Sequence, residues 1–135
     1  MSAVVLDAEA LSRLVNGGRH ERTVRAALEA AYNTNANAAV PAAVLAELYR
    51  GGRRDQALDS FLSRDSSLDV TPTDRGLART IGNVLAAVGR GSSHHVDASV
   101  AAVAIKNGGG VVITADADDL SVLCAGFPGI LIQRI

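Results

Sequence analysis

At 135 residues the chain is expected to form one domain over residues 1–135, a size at which roughly two-thirds of the unfolded surface can be buried. Hydrophobic residues make up 48% and aromatics only 3%, so the core must be built from Ala, Val, Leu and Ile. Thirteen basic and fourteen acidic residues leave a formal charge of -1, which excludes the uniform basic field of a non-specific duplex binder but not a local basic rim.

Lys106 is the single lysine, and the arginines that supply the remaining positive charge suit bidentate contacts with phosphate or carboxylate. Cys124 is the only cysteine, which rules out an intrachain disulfide and a cysteine metal site. Its setting, Val122-Leu123-Cys124-Ala125, predicts a core residue rather than a nucleophile. The N-terminal stretch lacks a basic region followed by a long apolar one, and no apolar run approaches a membrane span, so a cytoplasmic protein without membrane attachment is expected.

Ala3-Val4-Val5-Leu6 reads as a short strand buried on both faces, and Asp7 stands where it stops. Asp7 suits the N-cap of the helix over 8–16, and it also suits a ligand position at the carboxyl end of a parallel strand. Leu11, Leu14 and Val15 share one face of that helix, which Asn16-Gly17-Gly18 ends. A helix over 21–32 places Val24, Ala27, Leu28 and Ala31 inward, with Arg19, Arg22 and Arg25 on its solvated side. After the loop Asn33-Thr34-Asn35-Ala36-Asn37, residues 38–41 read as a strand and 42–49 as a helix with Val44, Leu45 and Leu48 apolar. Glu47 is the only acid of that helix, and Arg50-Gly51-Gly52-Arg53-Arg54 closes it with cations at its negative end.

The next helix, over 54–64, buries Ala57, Leu58, Phe61 and Leu62. Leu68-Asp69-Val70-Thr71-Pro72 fits an edge strand that proline ends. Thr73 is the expected N-cap of a helix reaching Val88, with Asp74 in its first turn and Leu77, Ala78, Ile81, Leu85 and Val88 inward. Gly89 to Ser93 is a turn, His94 and His95 are helix-entry residues, and Asp97 opens an all-round apolar helix through Ile105 that must be central. Asn107-Gly108-Gly109-Gly110 leads into a strand at 111–114, which runs through Ala115 into Asp116. Asp118 and Asp119 open a short helix, and Ile130-Leu131-Ile132 forms a last strand. The resulting order, β-α-α-β-α-α-β-α-α-β-α-β, implies an α/β fold with a mainly parallel sheet and helices on both faces.

Asp7, Glu47, Asp97 and Asp116 have settings that bring them to one sheet edge. Carboxylates placed together repel one another, and a divalent cation reverses that balance. Oxygen-only ligands select hard ions such as Mg²⁺ or Mn²⁺, which activate water for hydrolysis of a phosphodiester.

Four stretches resemble, in order, the motifs of PIN domains: Val4-Val5-Leu6-Asp7-Ala8, Leu45-Ala46-Glu47-Leu48-Tyr49-Arg50-Gly51, Val96-Asp97-Ala98-Ser99-Val100-Ala101-Ala102, and Ile113-Thr114-Ala115-Asp116-Ala117-Asp118-Asp119-Leu120. The resemblance is to VapC-type ribonuclease toxins of type II toxin–antitoxin systems, and it covers the whole chain. It implies a three-layer α/β/α sandwich around about five short strands. It implies Asp7, Glu47, Asp97 and Asp116 as catalytic, metal-binding acids, Thr114 hydrogen-bonded within the cluster, and Asp119 as a supporting acid. It further implies Mg²⁺ or Mn²⁺, RNA cleavage, a homodimer and a VapB-like antitoxin. Glu9 departs from the first motif and adds an acid near the site. Arg50, Arg53 and Arg54 are the best candidates for substrate phosphates. Tyr32, Tyr49, Phe61 and Phe127 are the only side chains able to stack on bases, and core packing is expected of the two phenylalanines.

Two other readings fit acids at strand ends. A phospho-receiver-like signalling domain needs a lysine after the last strand, whereas Lys106 precedes a strand here. A non-catalytic RNA- or protein-binding module keeps the acids for structure alone.

Overall fold

Short segments rich in apolar residues are too short for helices and pair instead as strands. In the computed structural model, which describes residues 2–65 and 67–135, five such segments form one parallel sheet. β1 (Ala3–Leu6) is followed by α1 (Ala8–Asn16) and α2 (Glu21–Asn33), then by β2 (Asn37–Pro41). α3 (Ala42–Leu48) and α4 (Arg53–Arg64) lead to β3 (Leu68–Thr71). α5 (Arg75–Ala87), a 3-10 turn at Ser92–His94 and α6 (His95–Lys106) lead to β4 (Gly110–Thr114), and α7 (Ala117–Leu123) leads to β5 (Ile130–Arg134).

The strand order is β3-β2-β1-β4-β5, with β1 at the centre and β3 at an edge, as its proline-terminated sequence predicts. Val4 stands opposite Ala38 on one side and Val111 on the other, and Leu6 stands opposite Ile113. The chain winds outward from β1 through β2 to β3, then crosses back to β4 and β5. With right-handed crossovers this reversal sends α1 to α4 to one face and α5 to α7 to the other. The gap between β1 and β4 is therefore the topological switch point, where ligands of open α/β sheets bind. The order also differs from the 2-1-3-4-5 of receiver-type sheets, which removes the signalling-domain reading.

α6 is the central helix of its face. Every residue from Ala98 to Val100 and from Ala101 to Ala104 is buried, and the helix packs on β1, β2 and β4 as well as on α5. Leu6, Leu11, Val40, Val44 and Ile113 are fully buried, giving the aliphatic core that the composition demands. Cys124 is buried in it, and burial pushes its thiol up to about 11. No helix among the described residues is long and apolar enough to cross a membrane.

Glycine is required where β4 enters. Gly110 has φ +140°, and a Cβ there would collide with the Ala3 backbone, so β4 pairs with β1 only because that side chain is missing. At Gly109 (φ +106°) a Cβ would lie 2.6 Å from the Gly129 carbonyl oxygen.

Four local expectations are corrected. Asp74, not Thr73, caps α5: its Oδ1 accepts from the Leu77 N–H at 2.8 Å. Ala78 faces solvent and Val84 takes the buried position: the buried stripe runs through Leu77, Ile81 and Val84, at i, i+4 and i+7, and Ala78 lies about 100° around the helix from Leu77. α7 begins at Ala117, with Asp116 at the cap position, so Asp118 and Asp119 lie inside its first turn. Phe127 is 38% exposed rather than packed in the core.

Candidate metal centre

Asp7 is the first residue after the central strand. Its backbone is extended (φ -82°, ψ -177°), which starts α1 and turns the carboxylate toward the strand ends. Oδ1 accepts from the Ala10 N–H at 2.8 Å, so the residue is an N-cap. Oδ2 accepts from Thr114 Oγ1 at 2.6 Å and from the Ala115 N–H at 3.2 Å, which ties the end of β1 to the end of β4. The N-cap reading of Asp7 is thus seen on Oδ1, while Oδ2 is held at the carboxyl ends of the strands by β4. Burial pushes its carboxyl above the usual range; the three hydrogen bonds pull it down, and the charge of Glu9 pushes it up again. Glu9 itself turns outward to pair with Arg13 at 2.6 Å.

Thr114 is buried and uses its hydroxyl twice. It donates to Asp7, and its oxygen accepts from the Asp116 N–H at 2.8 Å. That second bond sets the backbone from which the Asp116 side chain leaves. Asp116 occupies the cap position of α7 but its carboxylate caps nothing, and it is exposed.

Asp97 lies in the first turn of α6, over the same edge. Burial pushes its carboxyl up to about 6, with further contributions from the charges of Asp116, Asp7, Asp119 and Glu47. Asp97, Asp116 and Asp119 each present an oxygen such that all three lie within 4.8 Å of one another. Asp119, expected only in a supporting place, thus stands inside this trio.

Glu47 is exposed on α3 and borders two clefts. The larger, about 720 Å³, also has Arg50, His95 and Asp97 on its walls. The smaller, about 330 Å³, is lined by Glu9, Ser12, Asn16 and Arg54. Arg50 donates to the carbonyls of Ala46 at 2.9 Å and Tyr49 at 2.6 Å, so it caps α3 while facing the larger cleft. Arg53 opens α4, is exposed, and lines neither cleft. Tyr49 donates its hydroxyl to Asp59, which pushes it up to about 12, whereas Tyr32 is 72% exposed.

Arg90 is the residue that sequence reasoning missed. Its Nη1 lies 3.0 Å from Asp119 Oδ1 and 2.9 Å from His94 Nε2, and this guanidinium holds the Asp119 carboxyl below the usual range. An arginine between Gly89 and Gly91 carries no signal of this role, because its partner lies 29 positions further along the chain.

An all-oxygen donor set, partly buried and mutually repelling, fits a hard divalent cation rather than a soft one. Glu47 and Asp97 both line the larger cleft, and the charges of Asp116, Asp7 and Glu47 all act on Asp97, while Asp7 and Glu47 stand outside the close trio.

The sequence profile of the PIN domain matches residues 4–124. In three dimensions, 98% of the chain is similar to 98% of a chain in the VapBC2 complex of Rickettsia felis bound to a DNA fragment from its promoter, with 20% identity and a TM-score of 0.68. A toxin–antitoxin complex from Klebsiella pneumoniae matches 98% of the chain over 99% of its own, with 20% identity and a TM-score of 0.68. VapBC-5 from Mycobacterium tuberculosis matches over 100% of both chains, with 21% identity and a TM-score of 0.54. These low identities speak for a shared fold. No curated protein matches the chain in sequence.

Proposed function

From the premise that the chain belongs to the PIN domain family, we propose that it is a Mg²⁺- or Mn²⁺-dependent endoribonuclease and the toxin of a toxin–antitoxin pair. The observation that carries this reading is the crowding of carboxylates at the switch point. Oxygens of Asp97, Asp116 and Asp119 lie within 4.8 Å of one another, and the charges of Asp7 and Glu47 also act on Asp97. Such an arrangement costs stability unless a cation offsets it.

In this reading Asp7, Glu47, Asp97 and Asp116 hold the metal, and Asp119 supports them. The ion, when bound, supplies Lewis-acid activation of water and neutralises charge on the phosphodiester. Thr114 aims Asp7 by donating to Oδ2, a bond that favours the ionised form against the opposing effect of burial, and it fixes the backbone of Asp116. Arg50 faces the larger cleft, where a phosphate beside Glu47 meets its guanidinium, and Arg54 does the same in the smaller one. Arg53 contributes from the rim. The solved VapBC complexes support a VapB-like antitoxin as partner, and we extend the reading to a homodimer acting on RNA in the cytoplasm.

The test is cleavage of single-stranded RNA with Mg²⁺ or Mn²⁺ by the unaltered protein and by Asp7→Asn and Asp97→Asn. Cleavage is expected only from the unaltered, metal-loaded protein. Robust cleavage by either variant in excess chelator overturns the reading. Failure of calorimetry to detect metal uptake supports a non-catalytic binding module instead.

A further inference from the structure

Arg90 stands in the turn between α5 and α6, and its backbone N–H donates to the Leu85 carbonyl at 2.9 Å. The side chain therefore leaves from a fixed point. An arginine is always charged and can only donate, so His94 Nε2 must accept from it. The other ring nitrogen of His94 faces Ser93 Oγ at 3.2 Å. The His94 ring on one side and the Asp119 carboxylate on the other hold the guanidinium in place. The Arg90–Asp119 pair is half-buried, with side chains 26% and 35% exposed.

Of the three acids that share oxygens within 4.8 Å, one thus already has a permanent cation. Among the described residues no ion pair engages Asp97 or Asp116. A second divalent ion bound through Asp119 would have to share that carboxylate with a positive group that cannot deprotonate. Arg90 thereby makes the Asp119 side of the cluster repel a further cation, while the Asp97 and Asp116 side remains open to one.

We propose that Arg90 is a positioning residue that keeps Asp119 as its own counter-ion, so that the cluster takes one hard divalent cation and the guanidinium stands in for a second. This rests on the nuclease reading and deepens it by setting the number of metals.

The experiment is titration of the full-length protein with Mn²⁺, followed by calorimetry and by electron paramagnetic resonance. The unaltered protein is expected to bind one Mn²⁺ with the spectrum of an isolated ion. Arg90→Gln is expected to bind two, with a spectrum showing coupling between them. Arg90→Lys keeps the charge and should return to one, as should Arg90→Gln combined with Asp119→Asn. Two ions in the unaltered protein overturn the proposal whether or not Arg90→Gln folds, and so does a single ion in folded Arg90→Gln. Either of these results leaves the nuclease reading standing if RNA is cleaved. No Mn²⁺ uptake by the unaltered protein overturns both.

Discussion

Asp97 carries the largest electrostatic penalty at the sheet edge, and its sign fixes how the protein responds to pH. Because burial and neighbouring acids raise its carboxyl to about 6, the native chain holds a proton that the unfolded chain has already released. The stability of the metal-free protein should therefore rise as pH falls from neutral through 6, and stop rising near the unfolded value of 3.8. Metal binding needs the ionised form, so Mn²⁺ affinity should climb between pH 5 and 7 in calorimetric titrations. Asp97→Asn removes the penalty: full burial of such a charge would be worth about 3 kcal/mol, which partial exposure reduces to about 1 kcal/mol. A rise in Tm of roughly 3–6 °C is expected for the metal-free variant, together with loss of RNA cleavage. Thr114→Val acts in the opposite direction. It leaves Asp7 Oδ2 and the Asp116 N–H each short of a partner, and should cost about 2–3 kcal/mol in urea denaturation. The four acids could be singled out from sequence because each follows or opens an apolar run. Arg90 could not, since its role depends on a partner 29 positions away that only the packing of α7 beside α6 supplies.

Elements obey the same local chemistry as single residues, but their ends depend on which of two good candidates the backbone favours. Thr73 and Asp74 both suit an N-cap, and periodicity does not separate them. Asp74 makes the bond to the Leu77 N–H, so Asp74→Ala should cost about 1 kcal/mol and Thr73→Ala only a few tenths, read as shifts in urea midpoint. Neither change should alter Mn²⁺ affinity, which separates helix stability from the site. Gly110 is a harsher case. Gly110→Ala places a methyl group against the Ala3 backbone at a φ that alanine resists, and no flexible side chain can yield there. That variant should fail to give a cooperative thermal transition. The element order could be read from the alternation of short valine-rich runs with helical spacing. Ala78 and Phe127 could not be placed from spacing, because an apolar residue at the border of a helix stripe, or in a loop following α7, fits the core and the surface equally well.

Across the whole molecule, under the proposed nuclease reading, the near balance of charge limits how strongly an RNA would be held by its backbone. Arg50 and Arg54 are the arginines that line the two clefts, so few phosphates are neutralised on binding. Binding of single-stranded RNA to the Asp97→Asn protein should weaken with salt along a log–log slope of about -2, as three contacts imply with Arg53 at the rim. Fluorescence anisotropy measures this, and a slope steeper than about -3 would show a larger basic surface than the clefts provide. The parallel sheet with helices on both faces was legible from the pattern of runs. The strand order was not, because spacing along a chain does not say on which side of β1 the returning strand will pair.

The bond between Asp7 and Thr114 spans 107 positions. A ribosome making this chain releases the first of these residues early and the second only after more than a hundred peptide bonds have formed. β1 must wait unpaired on its β4 side throughout that interval. A nascent chain therefore carries its acids dispersed, and the acidic edge is assembled in a single late event rather than residue by residue.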